Sequence, residues 1–182
     1  NLETILFLSS FLIEDAEYQN TAFSQLQNRR LAKSAQRNLF CAICSVPEKF
    51  PSLRLKDRVI SDIQFPSAIY KNYIFKGTRF TRVHGKTLGF EKCKFETFEF
   101  NEGEAGKISL SACQGDVCFT QSDISTLRVD SERVDVTFDR SNVDLLKISK
   151  HLEFQFAGDL WCQKLSAFNT SFPLGRMADK EV

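Results

Sequence analysis

Large apolar side chains recur at every fifth position through the middle of the chain. Ten consecutive members of this series run from Leu55 to Phe100, and Gly85 alone is not large and apolar. An α-helix repeats about every 3.6 residues and a flat strand every two, so neither produces this period. A backbone that turns a corner every five residues does. The series is Leu55, Ile60, Phe65, Tyr70, Phe75, Phe80, Gly85, Phe90, Phe95 and Phe100.

A second apolar set lies two residues before each member of the first. We therefore expect two residues of every five to point inward, and four such units to form a coil of about twenty residues. Successive coils would stack through backbone hydrogen bonds about 4.8 Å apart. Arg58 is the one member that does not suit an interior. The set is Leu53, Arg58, Ile63, Ala68, Tyr73, Thr78, Val83, Leu88, Cys93 and Phe98.

The period is interrupted once and then resumes in a shifted phase. Residues 101–107 contain two glycines and no large apolar residue, which predicts a protruding loop. Beyond that point, large apolar residues at five-residue intervals begin again at Phe119, and the phase slips once more before Phe138. After Ile148 the pattern is ragged. We therefore place the repeat region at residues 51–172 and a tail at residues 173–182.

Residues 1–50 have a helical pattern instead. The apolar run at residues 5–13 is too short to span a bilayer and predicts a buried helix. A second helix is expected to begin at Asn20 or Thr21 and to continue to about residue 44. Pro47 and Pro51 end the helical pattern. These residues are expected to form a cap on one end of the repeat region.

The repeat resembles that of the pentapeptide repeat family, in which a small residue, Asp or Asn, Leu or Phe, Ser or Thr and any residue follow in order. Ser122, Asp123, Ile124, Ser125 and Thr126 match this order, and residues 141–143 and 158–160 match in part. The resemblance implies a mainly β fold, a right-handed quadrilateral β-helix. Its predicted core includes Phe65, Phe75, Phe80, Phe90, Phe95 and Phe100.

Another fold also accounts for part of the pattern. The alternation at residues 95–100 would suit antiparallel strands of a β-sandwich, which need frequent turns. The chain has eight Gly and four Pro in all, so turn signals are scarce, and this favours the coil.

Residues with catalytic or metal-binding chemistry are few and scattered. Cys41 and Cys44 form a lone CxxC without a second ligand pair, and the only histidines, His84 and His151, are isolated. Buried, reduced thiols are the simpler interpretation, and Cys93 and Cys113 could stack one coil apart. We therefore predict no catalytic residues, metal or cofactor, and a protein that is not an enzyme.

Charge divides the repeat region into two bands. Residues 71–94 contain seven bases and one acid, whereas residues 95–159 contain thirteen acids and six bases, although the whole chain has a net charge of only +1. The basic band is either a docking strip for an acidic partner or the ordinary polar exterior of a repeat. Its bases are Lys71, Lys76, Arg79, Arg82, Lys86, Lys92 and Lys94.

These features predict a non-catalytic protein–protein interaction or scaffold module. The family resemblance implies a cytoplasmic part of a larger bacterial protein, such as an effector delivered to a host cytosol. It also implies two alternatives: a DNA-mimicking inhibitor or protector of gyrase, and an accessory domain of a ubiquitin-ligase-like effector. The net charge of +1 weighs against DNA mimicry. We expect a protein partner, neither nucleic acid nor a small-molecule substrate, no transmembrane segment, and a homodimer through an exposed coil end.

Overall fold

A computed structural model describes residues 2–27, 32–149, 154–156, 160–167 and 177–178. Three helices precede the strands: α1 (Leu2–Glu14), α2 (Ala16–Gln27) and α3 (Lys33–Ser45), followed by a 3-10 turn at Pro47–Lys49. The strands are β1 (Arg54–Phe65), β2 (Ala68–Lys71), β3 (Ile74–Glu91), β4 (Lys94–Asn101), β5 (Glu104–Ser111), β6 (Gln114–Thr120), β7 (Asp123–Asp130), β8 (Arg133–Asp139), β9 (Ser141–Ile148), β10 (Phe154–Phe156), β11 (Leu160–Ala167) and β12 (Met177–Ala178).

The strands form a parallel β-solenoid of about five turns. Each pairing joins a strand to one a full turn later, as in β1 with β3 and β5 with β7. The predicted mainly β, coiled architecture with helices at its N-terminal side is confirmed. The antiparallel sandwich is wrong, because the described strand pairs run parallel.

The turn length explains the slip in the period. Leu55 pairs with Phe75 and Phe75 with Phe95, so the first turns contain twenty residues each. A register shift follows Phe95 in the pairing of β4 with β6, and Phe98 then pairs with Val117, nineteen residues away. The nineteen-residue spacing persists from β5 to β9 and from β9 to β11, whereas β10 lies eighteen residues from its partner positions in β8 and β12 seventeen from those in β11. A single missing residue in β6 therefore produces the new phase at Phe119.

The loop predicted at residues 101–107 does not exist. Strand β4 runs to Asn101 and β5 starts at Glu104, and both Gly103 and Ala105 are buried on the inward side. The space for a side chain is small here, because a Cβ added to Gly103 would lie 2.9 Å from the Phe100 ring. The low apolar content therefore reflects a narrow part of the core.

The core is a stack of aromatic and aliphatic columns. Ile60, Phe80, Phe100, Phe119 and Phe138 follow one another in register along one column. In the neighbouring column the Phe75 and Phe95 rings stack at 5.7 Å with 7° between their planes. The six phenylalanines named as core residues are all buried in the solenoid: Phe65, Phe75, Phe80, Phe90, Phe95 and Phe100.

Arg58 also lies in the interior, contrary to expectation. Its side chain is only 7% exposed, and it pairs in register with buried Thr78. An arginine can occupy such a position because its aliphatic stem packs like an apolar side chain.

The helical region contains three helices where the sequence predicted two. Helix α2 begins at Ala16, and Asp15 caps it by accepting a hydrogen bond from the Glu17 N–H at 2.7 Å. Asn20 and Thr21 therefore lie inside α2, and their expected capping role is wrong. Helix α1 is also not simply buried, since Phe7 and Ile13 are 62% and 49% exposed. In the described part of the chain, no helix is long and apolar enough to cross a membrane.

Helix α3 joins the helices to the solenoid. It contacts β1 and β2 on one side and α1 and α2 on the other. Its buried Phe40 packs on the Phe65 and Phe80 rings of the first turns, and the Tyr70 hydroxyl approaches the Cys44 carbonyl at 3.4 Å. Beyond the repeat region, Met177–Ala178 pairs with β11, so a strand lies within the predicted tail. The division at residues 50 and 172 stays a prediction.

Candidate docking surfaces

The seven bases of the predicted docking strip are exposed, but they do not share one face. Ile74 pairs with Lys94 across one turn, so a segment from residue 71 to residue 94 winds once round the solenoid. Bases that are close in sequence are thereby distributed around the circumference. Their role in binding stays a prediction.

Most of these bases are paired with an acid from a neighbouring turn. Lys71 contacts Glu91 at 3.0 Å, Lys76 contacts Glu96 at 2.7 Å, and Arg79 contacts Glu99 at 2.5 Å. Arg82 contacts Asp62 of the preceding turn at 2.7 Å. These partners are twenty residues apart because that is the turn length. Lys94 also contacts Glu96, at 3.0 Å.

The ion pairs lower the pKa values of two carboxylates. Hydrogen bonds from Lys76 and Lys94 lower the pKa of Glu96, and the hydrogen bond from Arg82 lowers the pKa of Asp62. Side chains this exposed gain little net free energy from such pairs. The chief consequence is that the band of positive charge seen in the sequence is largely neutralised in three dimensions.

The remaining candidates for chemistry are His84, His151, Cys41 and Cys44. His84 is exposed and faces Glu104 at 3.4 Å, whereas His151 lies outside the described residues. Within the described ranges, no three His, Cys, Asp or Glu side chains are grouped so as to hold a metal ion. Cys41 and Cys44 are buried in α3, and burial raises the pKa of both thiols, which disfavours the reactive thiolate.

An apolar groove lies where the three helices meet. It has a volume of about 360 Å³. Its aromatic side chains are in contact, with ring centroids 4.8 Å apart for Phe7 and Phe11 and 5.3 Å apart for Phe11 and Tyr18. The lining is almost entirely apolar and comes from all three helices: Phe7, Leu8, Phe11, Leu12, Tyr18, Thr21, Ala22, Gln25 and Leu39.

Three exposed apolar side chains of the described residues lie on the two helices that form most of this groove. Among the described residues, six large apolar side chains are exposed, and Phe7, Ile13 and Tyr18 of α1 and α2 are three of them. The other three are spread over the solenoid. Exposed apolar residues that cluster in this way mark an interaction surface more often than isolated ones do.

Acidic residues are close in sequence to the residues that line the groove. Glu14, Asp15 and Glu17 are exposed at the junction of α1 and α2, next to Tyr18. Residues 1–28 contain four acids and neither Lys nor Arg, so this part of the chain carries only negative side-chain charge. A ligand for the groove should therefore be apolar on one side and basic beside it.

Sequence reasoning missed the groove, although a signal was present. Helix α1 has apolar residues on all sides, and this pattern predicts that the whole helix is buried. The alternative is that one apolar side packs on α3 while another remains open.

No protein-family model, curated protein or solved structure matches the chain.

Proposed function

We propose that this chain is a non-catalytic protein-docking module whose helical groove binds an amphipathic helix of a partner protein, with basic residues beside its apolar face. The observation that carries the proposal is the groove, with Phe7, Phe11 and Tyr18 in its lining, in two helices whose only charged side chains are acidic. Helices dock in such grooves through apolar side chains spaced three and four residues apart.

The solenoid is suited to hold the groove rigidly. Its core is continuous from the first turn to β11, and α3 anchors the groove to it through Phe40. Several bases on the outer surface are already paired with acids. This pairing supports neither DNA mimicry nor the binding of an acidic partner by the basic strip. An effector or scaffold role in a larger bacterial protein is consistent with this arrangement and forms part of the proposal.

We also propose that the repeat region is a degenerate pentapeptide repeat with a right-handed, four-sided coil. Residues with positive φ recur at turn spacing, which supports corners at fixed positions in the repeat. Three such series are Asp57, Gly77 and Thr97; Asp62, Arg82 and Glu102; and Asn72, Lys92 and Ala112. A crystal structure showing a left-handed coil or a three-sided one would contradict this assignment.

Two synthetic peptides test the docking proposal. Both are designed helices with the same leucine face, one with lysines and the other with glutamates on the polar side. We expect the lysine peptide to bind in isothermal titration calorimetry and the glutamate peptide not to bind. The double variant Phe7→Ser, Tyr18→Ser should weaken binding at least about tenfold, which corresponds to about 1.4 kcal/mol.

A matched variant provides the control. Val59→Ser, Ile69→Ser removes two exposed apolar residues from the solenoid, and it should leave the affinity unchanged. Equal binding of the lysine peptide to both double variants would refute docking in the groove. A dimer in analytical ultracentrifugation that Phe7→Ser, Tyr18→Ser dissociates would refute the partner helix and identify the occupant as a second copy.

A further inference from the structure

Two cysteine thiols occupy equivalent positions on successive turns of the solenoid. The Cys93 thiol donates a hydrogen bond to the Tyr70 carbonyl at 3.3 Å, and the Cys113 thiol donates one to the Phe90 carbonyl at 3.3 Å. Tyr70 and Phe90 are themselves register partners. The two thiols are therefore related by one step along the solenoid axis.

The two cysteines lie at facing positions on adjacent turns. The Gln114 N–H donates to the Cys93 carbonyl at 3.0 Å, and the next residues, Lys94 and Gln114, are register partners on β4 and β6. Neighbouring strands lie about 4.8 Å apart, and a disulfide spans Cα atoms separated by roughly 4.4–6.8 Å. The spacing of the two turns therefore falls within the range that a disulfide spans.

A surface depression of about 420 Å³ lies over this pair. Both cysteines line it, together with Ala112, whose φ of 51° places it at a corner of the coil. Its lining carries two cations, Lys92 and Arg133, and one anion, Glu132, so its net positive charge favours a negatively charged reagent. Cys41 and Cys44 lie on consecutive turns of one helix, and neither Cys118 nor Cys162 has a second thiol among its described hydrogen-bond partners.

We propose that Cys93 and Cys113 form a redox-active dithiol that reacts with a small anionic disulfide, glutathione disulfide, to give a bond between successive turns. The thiolate of one cysteine attacks a glutathione sulfur, which breaks the S–S bond and releases one glutathione thiolate. The second cysteine, after loss of its proton, attacks the mixed disulfide and releases the other glutathione. The protein loses two protons and two electrons, and the glutathione disulfide takes them up to become two thiols.

Mass spectrometry of the whole 182-residue chain tests this proposal. The protein is incubated with excess glutathione disulfide until Cys118, the most exposed of the six cysteines, carries glutathione. We expect tryptic peptides joined through Cys93 and Cys113 at that point. The cross-linked protein should also unfold at a higher temperature, and dithiothreitol should reverse both changes.

Single substitutions separate the two steps. In the Cys93→Ser variant the reaction should stop at glutathione attached to Cys113, or in the Cys113→Ser variant at glutathione attached to Cys93. The double variant Cys41→Ser, Cys44→Ser should form the cross-link as the original chain does. Free thiols at Cys93 and Cys113 after Cys118 is fully modified would overturn the proposal. So would a cross-link that joins Cys118 to either residue. Neither result depends on whether the helical groove binds a partner.

Discussion

The Phe40 ring of α3 lies 5.1 Å from the Phe80 ring of β3, so a helical side chain extends the aromatic column of the solenoid. The first turn of a solenoid has no preceding turn to cover its apolar interior, and a cap must supply that cover. Phe40 is fully buried and also packs edge-on against Phe65 at 5.7 Å. The helices are therefore an integral part of the core.

Phe40→Ala should lower the free energy of unfolding by about 3–5 kcal/mol, because it leaves a cavity between α3 and the first turns. Urea unfolding followed by circular dichroism measures the change. Phe7→Ala is the control, since Phe7 is 62% exposed, and it should cost less than about 1 kcal/mol. Equal losses from the two substitutions would show that Phe40 does not seal the core.

Gly115 is required where the turn length falls from twenty to nineteen residues. Its φ is 97°, and a Cβ there would lie 1.8 Å from the Phe95 carbonyl oxygen, a backbone atom that cannot move aside. Gly115→Ala should therefore prevent folding or cost about 3 kcal/mol or more, since strain and collision add together. Thermal unfolding should show this loss.

Gly89→Ala is the matched control for Gly115→Ala. Its added Cβ would meet the Ile69 side chain at 3.0 Å, and Ile69 is 58% exposed and free to shift. We expect a change of less than about 1 kcal/mol. If Gly115→Ala were tolerated as well as Gly89→Ala, the nineteen-residue turn would need a different explanation.

The sequence predicted the coil because its inward positions obey a simple spacing rule. The same rule failed where small residues were inward. Gly103 and Ala105 looked like a loop, because residue types alone do not show that the Phe100 ring fills the space beside Gly103. The prediction that Arg58 does not suit the interior was wrong for a related reason, since a pattern of residue types does not show how an aliphatic stem packs.

The candidate sites were harder to predict than the fold. The bases from Lys71 to Lys94 formed a cluster only along the chain, and a winding backbone distributes such a cluster around its circumference. Their partners, such as Glu96 for Lys76, lie one turn away and become visible only once the turn length is known. The groove depends on the packing of three helices, and the apolar residues on all sides of α1 do not show which side of that helix remains uncovered.

Two buried tyrosines differ in how their hydroxyl groups are satisfied. The Tyr70 hydroxyl donates to the Pro66 carbonyl at 3.0 Å and approaches the Cys44 carbonyl at 3.4 Å, whereas the Tyr73 hydroxyl has no hydrogen-bond partner among the described residues. Removing an unsatisfied buried hydroxyl relieves its desolvation cost, so Tyr73→Phe should be neutral or stabilising by about 1 kcal/mol.

Tyr70→Phe provides the comparison, because it removes hydrogen bonds that are made. It should destabilise the protein by about 1 kcal/mol. Chemical denaturation of the two variants side by side decides the matter. A loss for Tyr73→Phe as large as that for Tyr70→Phe would show that the Tyr73 hydroxyl has a partner in solution.

The ion pairs between turns predict how stability responds to acid. The pKa values of Glu96 and Asp62 are lowered from their ordinary values of 4.5 and 3.8 by their basic partners. The folded state therefore binds fewer protons than the unfolded state in the acid range. This contribution is fully present above the ordinary values and is lost as the pH falls through the lower, folded-state values.

The double variant Glu96→Gln, Asp62→Asn should therefore lose less stability than the original chain as the pH falls below about 4.5. Asp116→Asn, which changes an exposed carboxylate without a described ion pair, should keep the slope of the original chain. Melting temperatures measured across this range give both slopes. The difference should shrink in high salt, because Lys76, Arg82 and Asp62 are exposed and Glu96 is partly exposed, so that ions screen both pairs. Parallel curves for the two variants at low salt would mean that the pairs do not persist in solution, and the basic band would then be open to an acidic partner after all.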